Sequence, residues 1–416
     1  MAEKKDYKKE IKRAAAARVI PVLLLCVFVL SGLMYFTADR EEQPAEPVTP
    51  EDIVTSDEAA SAEEPELPLP PTTEEMLAAY IETMTLEEKV GQMFLIRCPD
   101  EDAAEKIERY QPGGVILFAR DFKDRSPEQV QANIASYQDA SKVPLLTAVD
   151  EEGGDVNRIS WYTQYRSTPF AGPQKLYKEG GFARIESDTV EKCQLLTSLG
   201  INVNMAPVCD ISENPSAYIY KRTFGQDAVA TSRYIRQVVR TMNQQNVGSV
   251  LKHFPGYGGN SDTHQGFSVD TRPYSQFLAS DLRPFQAGIQ AGAGCVLVSH
   301  NIVECMDDEK PASLSREVHR VLREELGFDG VIMTDDLVME AITDAYGTAE
   351  AAVLAVKAGN DMLCCSDYKT QIPAVIAAAE SGKISEAQIN ESVLRVLLWK
   401  HALGLVETGP EEEETK

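Results

Sequence analysis

"DGVIMTDDLVMEAI", residues 329–342, passes from an apolar run into two adjacent carboxylates and then into a helical pattern. Val331, Ile332 and Met333 follow one another without alternation, the signature of a strand covered on both faces. Asp335 and Asp336 stand at its C-terminal end. Neighbouring residues at a strand end point to opposite sides. One of the pair therefore faces an interior, and the other suits a cap on the helix that follows.

The same unit recurs along the chain. Near-continuous apolar runs occupy 90–98, 113–120, 143–150, 200–208, 247–254, 293–300, 329–336 and 359–366, separated by turns and helical patterns such as "SPEQVQANIASYQDA". Eight strand–helix units over roughly 330 residues predict an α/β chain closed into a single (β/α)8 barrel of TIM type. A doubly wound open sheet has the same periodicity. The polar residues favour the barrel: Asp150, Lys252, His253, His300, Asp335, Asp336 and Asp367 stand at or just past the ends of their runs. In a barrel those ends converge on one mouth.

The flanks differ from this core. Residues 1–18 are basic, and 19–36 read "VIPVLLLCVFVLSGLMYF" without a charge. That length is about enough to cross a hydrocarbon core, and the preceding Lys/Arg excess belongs on the cytoplasmic side. The segment 19–37 is expected to be a single-pass signal anchor in the cell membrane, with the rest of the chain extracellular. A cleaved signal peptide that releases a secreted protein is the alternative, but "LMYFTADR" offers no small-x-small cleavage site. Cys26 follows Leu25, a poor match to a lipid-modified cysteine.

Residues 38–73 are acidic and proline-rich, a composition that stays solvated and disordered. As a flexible linker they would span on the order of 30 Å. The catalytic unit is expected over 74–407, and 408–416 is an acidic tail. The net charge of −25 excludes a nucleic-acid-binding surface, which needs clustered Lys and Arg. Eight cysteines without a C-x-x-C pair exclude a zinc site and a small disulfide scaffold, while leaving room for one surface disulfide.

Three loops carry candidate chemistry. In "LLTAVDEEGGDVNRIS" (145–160), Asp150 ends a strand, Gly153 and Gly154 permit positive φ or close backbone approach, and Arg158 follows. A carboxylate and a guanidinium together can fix several sugar hydroxyls, although either is an ordinary surface charge when taken alone. Arg222 in "YKRTFGQD" is a further candidate. In "LKHFPGYGGNSDTHQG" (251–266), Lys252 and His253 leave a strand and a glycine-rich loop ends in Asp262-Thr263-His264. A carboxylate bound to one imidazole nitrogen sets the tautomer and raises the basicity of the other. The other nitrogen can then give and take a proton. No further ligands stand nearby to make the pair a metal site.

Together "DEEGGDVNR", "INVNMAPVCDI", "KRTFG", "KHFPGYG", "DTH" and "GFDGVIMTDDLVMEAI" resemble glycoside hydrolase family 3, in its β-N-acetylglucosaminidase branch. The resemblance spans roughly residues 75–405 and implies a (β/α)8 barrel and a retaining mechanism. It implies Asp335 as nucleophile, Asp262–His264 as the acid/base dyad, and Asp150, Arg158, Arg222, Lys252 and His253 as sugar-binding residues. Asp336 is then left as the helix cap. Neither metal nor organic cofactor is implied. The implied activity is exo-release of terminal GlcNAc from peptidoglycan fragments or similar β-linked glycans. An imidazole acid also suits a substrate whose acetamido and neighbouring acidic groups, such as a muramic lactate, disfavour a second carboxylate.

Two positions depart from the family pattern: Tyr257 replaces a histidine, and Asp155 a commonly basic residue. The β-glucosidase branch, which takes its acid/base from a second large domain, matches less well. The rival readings are a phosphorylase that passes GlcNAc to phosphate and a silent barrel that only binds wall glycan.

Overall fold

The computed structural model describes residues 71–258 and 268–407. The expected anchor (19–37), nearly all of the linker, the dyad Asp262 and His264, and the tail 408–416 lie outside the described residues. Among the described residues no helix is long and apolar enough to cross a membrane. The first described helix, Thr73–Glu82, begins one residue inside the expected linker, where Thr72 and Glu75 form a reciprocal capping box.

Each of the eight apolar runs contains a strand. These are β1 (Phe94–Arg97), β2 (Gly114–Leu117), β3 (Leu146–Val149), β4 (Val203–Asn204), β5 (Gly248–Phe254), β6 (Cys295–Val298), β7 (Val331–Thr334) and β8 (Leu363–Cys365). They pair in parallel in the order β7-β6-β5-β4-β3-β2-β1-β8. A parallel bridge between Met333 and Met362 joins the two ends, and Thr334 N–H donates to the Met362 carbonyl at 3.1 Å. That contact nearly closes the ring, as a barrel of TIM type requires and an open sheet does not.

Alternation along each strand sorts the core into layers. Leu95, Ile116, Leu146, Ala148, Val250, Leu297, Val331 and Met333 pack into one buried cluster inside the ring. Trp399, on the C-terminal helix Glu386–Ala402, joins the same cluster. Gly294 makes room for it, since a Cβ there would meet the indole Nε1 at 2.2 Å. The intervening residues, among them Ile96, Val149, Val298 and Ile332, face the surrounding helices in two larger clusters.

Candidate active site

Two-residue alternation carries each inward row to a polar residue near or just past the C-terminal end of its strand. Leu95 leads to Arg97, Leu146 and Ala148 to Asp150, Val250 to Lys252, and Val331 and Met333 to Asp335. An apolar barrel is thus topped by a polar layer at its C-terminal mouth. A cavity of about 730 Å³ opens there, and Asp150, Arg158, Arg222, Lys252, His253 and Asp335 all line it. The structure brings six of the eight sequence-predicted site residues together, while Asp262 and His264 are outside the described residues.

Lys252 is clamped between carboxylates, its Nζ 2.7 Å from Asp150 Oδ1 and 2.6 Å from Glu152 Oε1. Arg222 donates to both oxygens of Glu152, at 2.7 and 3.0 Å. Burial opposes the charge on Glu152, but Lys252 and Arg222 outweigh it and hold the carboxyl well below the usual range. The Lys252 ammonium is likewise pushed up, its burial outweighed by Asp150 and Glu152. Sequence reasoning passed over Glu152, although it lies in the quoted "DEEGGD". Its partners are 70 and 100 residues away, so only closure of the barrel shows its role.

The loop beneath these groups is built on Glu151, whose buried carboxylate accepts the N–H groups of Arg158 and Ile159, both at 2.8 Å. Gly153 and Gly154 adopt φ of +98° and +70°, as their spacing suggested. Arg158 lies 3.7 Å from Asp150 and projects over the Phe118 ring.

His253 is held from two sides. Its Nδ1 lies 2.7 Å from Asp210 Oδ2 and its Nε2 3.2 Å from Arg222 Nη2. A guanidinium can only donate, so Nε2 accepts and Nδ1 carries the proton given to Asp210. The peptide bond between Lys252 and His253 is cis, and both side chains line the same cavity. Asp210 also accepts the N–H groups of His253 (3.2 Å) and Tyr257 (2.7 Å). The Tyr257 ring meets His253 edge-on, with centroids 5.1 Å apart. Asp210 was also missed, though it closes the quoted "INVNMAPVCDI" where β4 joins the polar layer.

Asp335 and Asp336 have opposite environments. Burial disfavours a charge on Asp335, but His300, the Asp336 N–H at 2.9 Å and Lys252 outweigh it and lower its pKa. Asp336 is raised, chiefly by burial. Two adjacent carboxyls driven apart in this way can take different roles. Asp336 does not cap the next helix: Glu340–Tyr346 begins at Met339 with no side-chain cap. Instead Asp336 accepts from Val338 N–H and Ser366 N–H, each at 3.2 Å, and from the Ser366 hydroxyl. It therefore ties the ends of β7 and β8. His300 supports the same turn: its Nε2 donates to the Asp336 carbonyl at 3.0 Å, and its Nδ1 lies 2.8 Å from Ser313 Oγ.

The cavity thus offers a carboxylate of lowered pKa in its lining, with charged donors and acceptors around it that suit a polyhydroxylated ligand. Among the described residues no group of His, Cys, Asp and Glu is arranged to hold a metal ion.

The family model "Glycosyl hydrolase family 3 N terminal domain" matches residues 85–398. A "Beta-hexosaminidase" of Xanthomonas campestris pv. campestris is 33% identical over 297 residues, which is 70% of this chain and 86% of that protein. "Beta-hexosaminidase LpqI" of Mycobacterium tuberculosis is 30% identical over 368 residues, 85% of this chain and 92% of its own. Among solved structures, a glycoside hydrolase family 3 β-N-acetylglucosaminidase from Paenibacillus sp. superimposes with a TM-score of 0.72 at 32% identity. That match covers 80% of this chain and 66% of the Paenibacillus protein.

Proposed function

The chain belongs to glycoside hydrolase family 3, and on that premise we propose that it is a retaining exo-β-N-acetylglucosaminidase. The observation that carries the reading is Asp335, a half-buried carboxyl whose neighbours lower its pKa, lining a cavity together with Asp150, Arg158, Arg222, Lys252 and His253. An ionised carboxylate can attack the anomeric carbon of a terminal GlcNAc as the bond to the leaving oxygen breaks. The five polar residues hold the ring hydroxyls of that sugar.

In this reading His264 gives its proton to the departing oxygen, and Asp262 sets its tautomer and steadies the imidazolium. Water then releases the sugar from Asp335, with His264 taking the proton back. Two displacements at one carbon leave the β configuration unchanged.

Residues 19–37 would tether this enzyme to the cell membrane, with 38–73 as spacer and the barrel, 74–407, on the outer side. Its substrates would then be peptidoglycan fragments or related β-linked glycans outside the cell. The test is turnover of chromogenic β-GlcNAc and β-glucose substrates, with and without phosphate. The reading expects GlcNAc release that does not depend on phosphate. Formation of GlcNAc-1-phosphate would make the enzyme a phosphorylase, and turnover of neither substrate would remove the hydrolase reading.

A further inference from the structure

A second cavity, about 580 Å³, adjoins the first and shares Arg97 and Ser366 with it. Arg97 ends β1 and stands where the ends of β8 and β2 flank the mouth. The other Lys and Arg residues around the sugar pocket are committed: Lys252 and Arg222 to Glu152, Lys252 and Arg158 to Asp150, and Lys221 to Asp155. Arg97 is different. Its guanidinium lies over the Phe118 ring with 4.8 Å between Cζ and the centroid. Its buried Nε has no hydrogen-bond partner, and among the described residues its side chain forms no ion pair.

The surroundings do not neutralise it. Asp121 feels its charge, but that carboxylate already accepts from Phe118 N–H at 2.8 Å and lies 3.8 Å from Arg120. In the second cavity Asp100 pairs with Arg120, and Lys106 donates to the Glu101 carbonyl. Glu101, Asp367 and Lys369 add two carboxylates and one ammonium to its lining, which with Arg97 and Lys106 still leaves an excess of positive charge. An arginine held over an aromatic ring, lining two cavities and given no acceptor by the described residues, is arranged to receive an oxyanion.

We propose that Arg97 is a specificity-determining residue that binds a carboxylate on the leaving group, the saccharide beyond the terminal GlcNAc. This deepens the hydrolase reading and rests on it. The glycan would lie across the mouth from the ring of Asp150, Lys252 and Asp335 into the second cavity, with its acidic substituent on the guanidinium.

The experiment uses the full-length protein and two probes that differ in one charge. One is a β-1,4-linked GlcNAc disaccharide whose reducing sugar carries a 3-O-lactyl carboxylate, and the other is its lactyl amide. The readout is the ratio of kcat/KM for acid over amide. A charge-assisted bond of ordinary strength gives a wild-type ratio of about tenfold or more. The ratio is expected to fall to about one in Arg97→Met and to stay intermediate in Arg97→Lys, with folding of both variants checked by thermal melting. A wild-type ratio near one, or a ratio that survives in Arg97→Met, overturns the proposal.

Inorganic phosphate provides a further arm. If it accelerates turnover and yields GlcNAc-1-phosphate through Arg97, the anion is an acceptor and the leaving-group assignment is overturned. Should neither disaccharide be cleaved, the hydrolase reading fails, and the same ratio is read as calorimetric affinity in Asp335→Asn. A tenfold preference for the acid that disappears with Arg97→Met would still uphold the anion site, and equal affinities would overturn it.

Discussion

Asp210 Oδ2 lies 2.7 Å from His253 Nδ1, and the same carboxylate also accepts the His253 and Tyr257 backbone N–H groups. One buried side chain therefore sets the tautomer of a pocket imidazole and the course of the backbone beyond it. Asp210→Asn keeps the shape but can present an amide N–H to Nδ1, which would turn the Nε2 proton against Arg222. We expect kcat/KM to fall about tenfold or more, by analogy with loss of an orienting partner, as read by steady-state kinetics. Asp210→Ala should also lower stability by ~1–3 kcal/mol for each backbone donor left unpaired, read by urea unfolding.

Glu152 gives a prediction about acid stability. Its folded pKa lies below the ordinary carboxylate range because Lys252 and Arg222 outweigh its burial. A depressed carboxyl stabilises the fold fully above its unfolded value, about 4.3, and loses that contribution as pH falls towards the folded value. Glu152→Gln removes the charge and leaves two buried cations to Asp150. It should cost ~3–5 kcal/mol at pH 7, and its stability should change less than the wild type's below about pH 4. Equal acid transitions in the two proteins would contradict the ion-pair account.

At the other end of the barrel, burial pushes the Lys400 ammonium down to about 7. Its Nζ donates to Gln92 Oε1 at 2.7 Å. Between about 7 and the unfolded value near 10.4, the unfolded chain binds more protons, so stability rises with pH across that window. Below about 7 the penalty is complete and reaches ~5 kcal/mol. Lys400→Met should flatten that slope. It should raise stability near neutrality by ~2 kcal/mol, less than the full penalty because Gln92 Oε1 loses its donor. Unfolding at a series of pH values from 6.5 to 10 checks both effects.

The strands were legible because a barrel strand is covered on both faces and its apolar run is unbroken. That one of Asp335 and Asp336 faces the interior was legible for a related reason, since neighbouring residues at a strand end diverge, but the choice of Asp335 came from the family resemblance. Partners joined through space were not. Asp336 looks like a helix cap in sequence, but β7–β8 closure brings Ser366, 30 residues away, to its carboxylate first. Glu152 and Asp210 are single letters inside quoted motifs, and their importance lies in residues far along the chain. His300 was visible only as one more polar residue at a strand end, because its partners are a backbone carbonyl and a serine on other elements.

The most direct test of the account is covalent. A 5-fluoro-GlcNAc glycosyl fluoride destabilises the oxocarbenium-like transition states, so that formation from an activated leaving group outruns release and a glycosyl-enzyme accumulates. Peptide mass spectrometry of the trapped protein should place one added sugar on Asp335 and none on the Asp335→Asn variant. An adduct on another residue, or steady cleavage of β-GlcNAc substrates with no adduct at all, would contradict Asp335 as the nucleophile.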